Sequence, residues 1–167
     1  MKKLLFICLI ALFPAFLNAQ DVVSELINKY KGNDGITTIE INKNLFNLIS
    51  INKSKDDEDD FLANNINKIR IITSEENKDI NFYDYIMKSV DHSIYKELML
   101  VKDGDEDVKI LAKDKGGKIS ELLIVTNDAD ESAVISILGD INLKKIKGLG
   151  NSINIDGIEY LNEIDED

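Results

Sequence analysis

LMLVKDGDEDVKILAKDKGGKISELLIVTNDADESAVISIL, residues 98–138, is the stretch on which the fold turns. Four short runs rich in β-branched and aliphatic residues, 98–102, 108–113, 119–126 and 133–138, alternate with the polar segments DGDED, DKGG and NDADE. Runs of this length and composition read as strands. Links this short join antiparallel neighbours. The stretch therefore predicts a four-stranded meander. Val108, Ile110, Ala112, Leu122, Ile124, Ile135 and Ile137 fit its inner face, covered by helices. The alternate face still holds Leu111, Leu123, Val125 and Leu138, more apolar than solvent suits. Either further helices cover it, or Leu111, Leu123 and Leu138 form an interaction surface for an envelope protein or a second copy.

Upstream, helical and strand signals mix. Val22, Val23, Leu26, Ile27 and Tyr30 share one face of a short helix over 21–31. GNDG at 32–35 is a turn, and ITTIEI at 36–41 is a strand. Leu45, Phe46, Leu48 and Ile49 favour a second helix after Asn42. KSKDDEDD at 53–60 has no apolar residue and reads as a solvated loop. Leu62, Ile66 and Ile69 mark a helical turn leading into a strand over 70–73. Asn81 has the character of an N-cap, with Asp84 in the first turn behind it. Phe82, Ile86, Val90, Ile94 and Leu98 then recur every fourth residue and predict one long amphipathic helix. A last helix is expected over 142–149, before a tail ending Asp165-Glu166-Asp167. The class is α+β: an antiparallel four-stranded C-terminal meander with additional N-terminal strands, packed against several helices.

The first 19 residues stand apart from this pattern. Lys2 and Lys3 form a basic start, residues 4–17 are apolar apart from Pro14, and Ala19 is the small residue before a cut ahead of Gln20. This is the pattern of a secretory signal peptide, too short and too weakly flanked for a lasting membrane span. Cys8 follows Phe6 and Ile7 within the apolar run, not at a lipidation site. Cleavage leaves residues 20–167 as a single domain without cysteine, so its core must hold it together without disulfides. The expected location is periplasmic or extracellular, with no transmembrane anchor.

Twenty Lys and Arg against 31 Asp and Glu give a net charge of −11, and loss of Lys2 and Lys3 takes it to −13. An acidic surface repels phosphate backbones, and no basic stripe interleaved with aromatics occurs. Nucleic-acid binding is not expected.

DGDEDV, from Asp103 to Val108, places carboxylates at alternate positions, as calcium loops do. A calcium EF-hand needs glycine at the sixth position and a bidentate glutamate at the twelfth. Here those positions are Val108 and Asp114, and both flanks read as strand. The segment is a hairpin connection in which Gly104 takes a positive φ. A different cation geometry remains open, because alternate connections of a meander share one end. DGDED and NDADE would then lie about 10 Å apart, two strand spacings. Asp103, Asp105, Asp107, Asp128 and Asp130 are thus candidate ligands for a hard cation such as Ca²⁺. Lys113, Lys115 and Lys118 mark the opposite end. No other cofactor is expected.

The catalytic inventory is thin. His92 is the single histidine, and on the predicted helix it aligns with Lys88 and Lys96, away from the apolar face. No serine–carboxylate arrangement completes a triad with it. Glu75-Glu76 and residues 56–60 lack the apolar setting that raises a carboxyl pKa. A glycan-cleaving carboxylate pair would need stacking aromatics, and the chain has no tryptophan. Gly148-Leu149-Gly150 lacks the lysine and following helix of a phosphate loop.

Four stretches together, YKGNDGITTIEINKNLF (30–46), YKELMLVKDGDEDVKILAK (95–113), ISELLIV (119–125) and ISILGDINLKKI (135–146), resemble the DUF4252 family of small secreted proteins, found mainly in Bacteroidota. The resemblance implies an exported or envelope location and supplies no catalytic residues. The expectation is an exported cell-envelope binding or structural module, non-enzymatic. The alternative is a carboxylate-based hydrolase acting on an envelope glycan or peptide.

Overall fold

A computed structural model describes residues 21–52, 64–75, 80–114 and 116–143. The leader, the 53–60 loop, Leu62, Lys115, residues 144–149 of the helix expected over 142–149, Gly150 and the acidic tail lie outside the described residues. In chain order the elements are α1 (Val22–Tyr30), β1 (Ile36–Asn42), α2 (Lys43–Asn52), β2 (Ile66–Glu75), α3 (Phe82–Ser89), β3 (Tyr95–Asp103), β4 (Glu106–Asp114), β5 (Ile119–Asn127) and β6 (Glu131–Ile141). The class is α+β. One antiparallel sheet has the order β1-β2-β6-β5-β4-β3. The meander expected from residues 98–138 forms four consecutive strands of this sheet, and the N-terminal strands extend it to six.

Both faces are buried in the middle of the sheet. One face gathers Val108, Ile110, Leu122, Ile124, Ile135 and Ile137, together with Ile66, Ile69 and Ile71 of β2 and Phe46 of α2. The other gathers Leu111, Leu123, Val125, Val134 and Ile72 beneath Val23, Leu26 and Ile27 of α1 and Phe82 and Ile86 of α3. Leu111 and Leu123 are 1% and 0% exposed. They cannot present themselves to a partner in this fold, which corrects the interaction surface expected there. Leu138, the third residue of that group, is half-buried. β4 to β6 carry nearly unbroken apolar runs because they are central strands covered on both sides.

Two segments depart from the sequence expectation for local reasons. Ile66 and Ile69 belong to β2, not to a helical turn. A bulge between Ile66 and Lys68 shifts the register against β6. The inserted residue lets Ile66 and Ile69, three apart, face the same core, and so imitates helical spacing. The second departure is the series from Phe82 to Leu98. α3 starts as expected, with the Asn81 side chain accepting from the Asp84 amide at 2.7 Å, but it ends at Ser89. Asp91 closes a turn there: its carboxylate accepts from the Ser93 amide, and its carbonyl accepts from the amides of Ile94 and Tyr95. Ile94 therefore lies in the turn and Leu98 on β3, where the ladder shifts register between Glu97 and Met99. The strand starts at Tyr95, three residues earlier than expected. The four-residue apolar spacing runs on across the junction, but Leu98 is exposed and does not share the face that Phe82, Ile86 and Val90 bury.

Polar anchors set the two helices on the sheet. The first helical amide of α3, on Phe82, donates to the Ser132 hydroxyl of β6 at 3.0 Å, and this hydroxyl donates onward to the Thr126 carbonyl. Gly139 sits opposite Ile66 at the β2 bulge, where a Cβ would collide with the backbone carbonyl of Asn65. Backbone has no side-chain freedom with which to yield. Gly139→Ala is expected to destabilise the protein by about 1–3 kcal/mol, as other overpacking substitutions do. Urea unfolding of the two proteins should show a lower midpoint for the variant with an unchanged slope.

Candidate functional site

The central polar feature of the described residues lies on the face covered by α1 and α3. Arg70 projects from β2 into this apolar layer with its side chain 2% exposed. Ile69, Ile71 and Ile72 flank it in sequence, so the strand's own alternation carries a guanidinium into the core. A lone buried cation is costly unless it is paired and hydrogen-bonded. Arg70 meets two carboxylates. One terminal nitrogen donates to Asp21 at 2.6 Å and to the Ser24 hydroxyl at 2.7 Å. The other donates to Glu121 of β5 at 3.2 Å and to the Ser136 hydroxyl of β6 at 2.9 Å. Nε is buried and makes no hydrogen bond.

The acids are held in turn. Ser136 donates to Oε1 of Glu121 at 2.7 Å, and the Tyr95 phenol donates to Oε2 at 2.7 Å. Asp21 is the N-cap of α1; its carboxylate accepts from the Ser24 amide at 3.2 Å and from the Ser24 hydroxyl at 3.0 Å. Partial burial pushes the Asp21 carboxyl up, but the bonds from Arg70 and Ser24 outweigh it and hold it below 3.8. Burial, and then the bond to Glu121, push the Tyr95 phenol far above its ordinary range. The phenol therefore stays protonated and remains a donor to Glu121 through neutral and mildly alkaline pH. Chemically, the cluster is closed: both Glu121 oxygens are engaged and the residue is buried.

The acidic hairpins form the second candidate. Asp107 pairs with Asn127 across β4 and β5, so DGDED and NDADE do share one end of the sheet. The first turn is only Gly104-Asp105, closed by the pair Asp103–Glu106, and Gly104 takes φ 61°. Asp107 binds Lys102 at 2.7 Å. One oxygen of Asp128 accepts from the amides of Asp130 and Glu131 at 2.7 and 2.6 Å, capping its own turn. Asp103, Asp105, Asp128 and Asp130 are exposed. Among the described residues, no group of three or more His, Cys, Asp and Glu is placed to hold a metal ion. A recess of about 130 Å³ beside NDADE, lined by Ser74, Asn81, Asp128 and Ser132 among others, is polar. It is well below the roughly 300 Å³ at which small-molecule pockets begin.

His92 is exposed, as expected, but in the turn after α3 and not on the helix, with Nε2 3.1 Å from the Met87 carbonyl. Lys113 lies over the Tyr95 ring, and Lys118 pairs with Asp140 at 2.7 Å. Glu76 and residues 56–60 fall outside the described residues. Sequence reasoning did not single out Arg70, Glu121, Tyr95 or Ser136. The available signal was two opposite charges, Arg70 and Glu121, each embedded in a strand of apolar neighbours.

The sequence model of the family described as "Domain of unknown function (DUF4252)" matches residues 30–149, and the chain belongs to that family. No curated protein and no solved structure matches the chain.

Replacing Arg70 by Met should leave Glu121 buried beside no cation and cost about 3–5 kcal/mol in chemical denaturation. The double variant Arg70→Met/Glu121→Leu is expected to recover most of that loss, since a paired apolar replacement strands no charge. Asp21 gives a pH signature. Its native pKa is lowered, so its stabilisation is complete above the unfolded value of 3.8 and is lost as pH falls through the native one. Asp21→Asn keeps a good N-cap and removes the charge. The melting temperature of the variant should fall below that of the parent at neutral pH, and the gap should close at pH values below 3.8.

Proposed function

We propose that this DUF4252 protein is an exported module of the cell envelope that binds or scaffolds rather than catalyses. The reading rests chiefly on Glu121. It is the one buried carboxylate among the described residues, and a cation, a serine and a tyrosine already occupy its oxygens. A hydrolase needs a desolvated acid that faces its substrate. Glu121 faces the protein instead.

Export is supported by the leader-like residues 1–19 and by the position of Asp21 just beyond them. Asp21, two residues past the expected cut, is both the cap of α1 and a ligand of Arg70. Cleavage ahead of Gln20 therefore preserves Asp21 and both of these contacts. Among the described residues, no helix is long and apolar enough to cross a membrane. Exposed Ile39, Leu45, Leu48, Leu98 and Leu100 offer apolar surface for a protein partner.

Fractionation of the native host, followed by N-terminal sequencing, tests both halves. The protein should be found outside the cytoplasm beginning at Gln20, and when immobilised it should retain an envelope component whose mass is unchanged. An intact Met1 on cytoplasmic protein would overturn the export reading. Turnover of a glycan or peptide that is lost in Glu121→Gln would favour the hydrolase.

A further inference from the structure

Among the described residues, β1 and β3 are the margins of the sheet, each paired on one side only. They are guarded differently. β3 has a register shift between Glu97 and Met99 and carries Lys96 and Lys102, devices that discourage strand addition. β1, with the sequence ITTIEIN, pairs with β2 without a register shift, and Glu40 is its single charge. Ile39 on this strand is 45% exposed. α2 begins directly after Asn42 and packs on β1 and β2 through Phe46, while Leu45 and Leu48 are 45% and 60% exposed. The flat margin thus also carries exposed apolar surface, a combination that folded proteins ordinarily avoid.

We propose that β1 is a homodimer interface in which a second copy adds its own β1 antiparallel, joining the two sheets edge to edge. The residue pattern selects the occupant and the register. A perpendicular two-fold axis keeps the face covered by α1 and α3 on the same side in both copies, which requires opposed residues of like parity. Centring the axis on Glu40 would set two glutamates directly opposite each other, a destabilising pair. Centring it on Thr38 would put Ile36 against Glu40 of the second copy. Centring it on Ile39 puts Ile39 against Ile39, Thr37 against Ile41 and Thr38 against Glu40, with no like charges opposed. The apolar and β-branched positions then meet on one face, and Thr38 and the carboxylate meet on the other. Glu40 keeps its own Lys68, 3.4 Å away within the same copy. Glu40 is the strand's single charge and stands opposite Thr38 in this register, so a second copy extends the sheet with Ile39 against Ile39 and without opposing like charges.

Sedimentation equilibrium of the purified protein under reducing conditions tests the interface. A dimer is expected at micromolar concentration. Ile39→Lys, which brings two ammonium groups together on the axis, should weaken association at least tenfold. Leu100→Lys on the other margin should leave it unchanged, and both variants should melt like the parent when diluted to monomer. A parent that stays monomeric at 100-fold higher concentration would overturn the proposal. So would a dimer indifferent to Ile39→Lys, or open-ended oligomers broken by either substitution, which would mean β1 on β3.

Discussion

The ion pair between Arg70 and Glu121 constrains everything around it. β2 supplies the arginine, β5 the glutamate and β6, between them, the serine that touches both. Tyr95 brings in the start of β3, and Asp21 and Ser24 bring in the first turn of α1. Four strands and a helix therefore meet at one charge. A charge taken out of water is tolerated only where its partners are all in place, so a misplaced strand would leave it bare. The cluster makes a wrong order of β2, β6 and β5 expensive, whatever it adds to net stability.

Apolar burial does the bulk stabilising, and polar contacts decide position. The central strands have aliphatic residues on both faces, and aliphatic surface alone does not fix where a helix sits. α1 is placed by its cap residue reaching Arg70, and α3 by its first amide reaching Ser132. At α3 a leftover helix amide is satisfied by a sheet hydroxyl, whereas at α1 the cap carboxylate takes the Ser24 amide and itself accepts from the sheet's Arg70. Helix capping and tertiary docking are the same event here.

Excess negative charge has a different distribution. The described surface pairs, such as Lys102 with Asp107, Lys88 with Asp84 and Lys118 with Asp140, are exposed or half-exposed and worth little each. At the shared end of the meander, turn closure already employs Asp128, and Lys102 already holds Asp107. The aspartates cluster in sequence because hairpin turns favour them, which is a sufficient local reason for the pattern. A calcium-like spacing is thus compatible with simple turn chemistry.

Local rules in the sequence determined a good deal: the α+β class, the meander, the cap at Asn81, the positive φ at Gly104 and the neighbouring acidic hairpins. Each depends on residues close in the chain or on a simple alternation. Tertiary structure alone decided the pairing of β2 with β6, because residues some 65 positions apart meet there and no local pattern encodes the meeting. That pairing explains why Ile66 and Ile69 mimic a helix, why Gly139 must lack a side chain, and why Arg70 points at Glu121. Read singly, Arg70 and Glu121 are charges in apolar strands. Only when β2 settles beside β6 does each become the partner that makes burying the other possible.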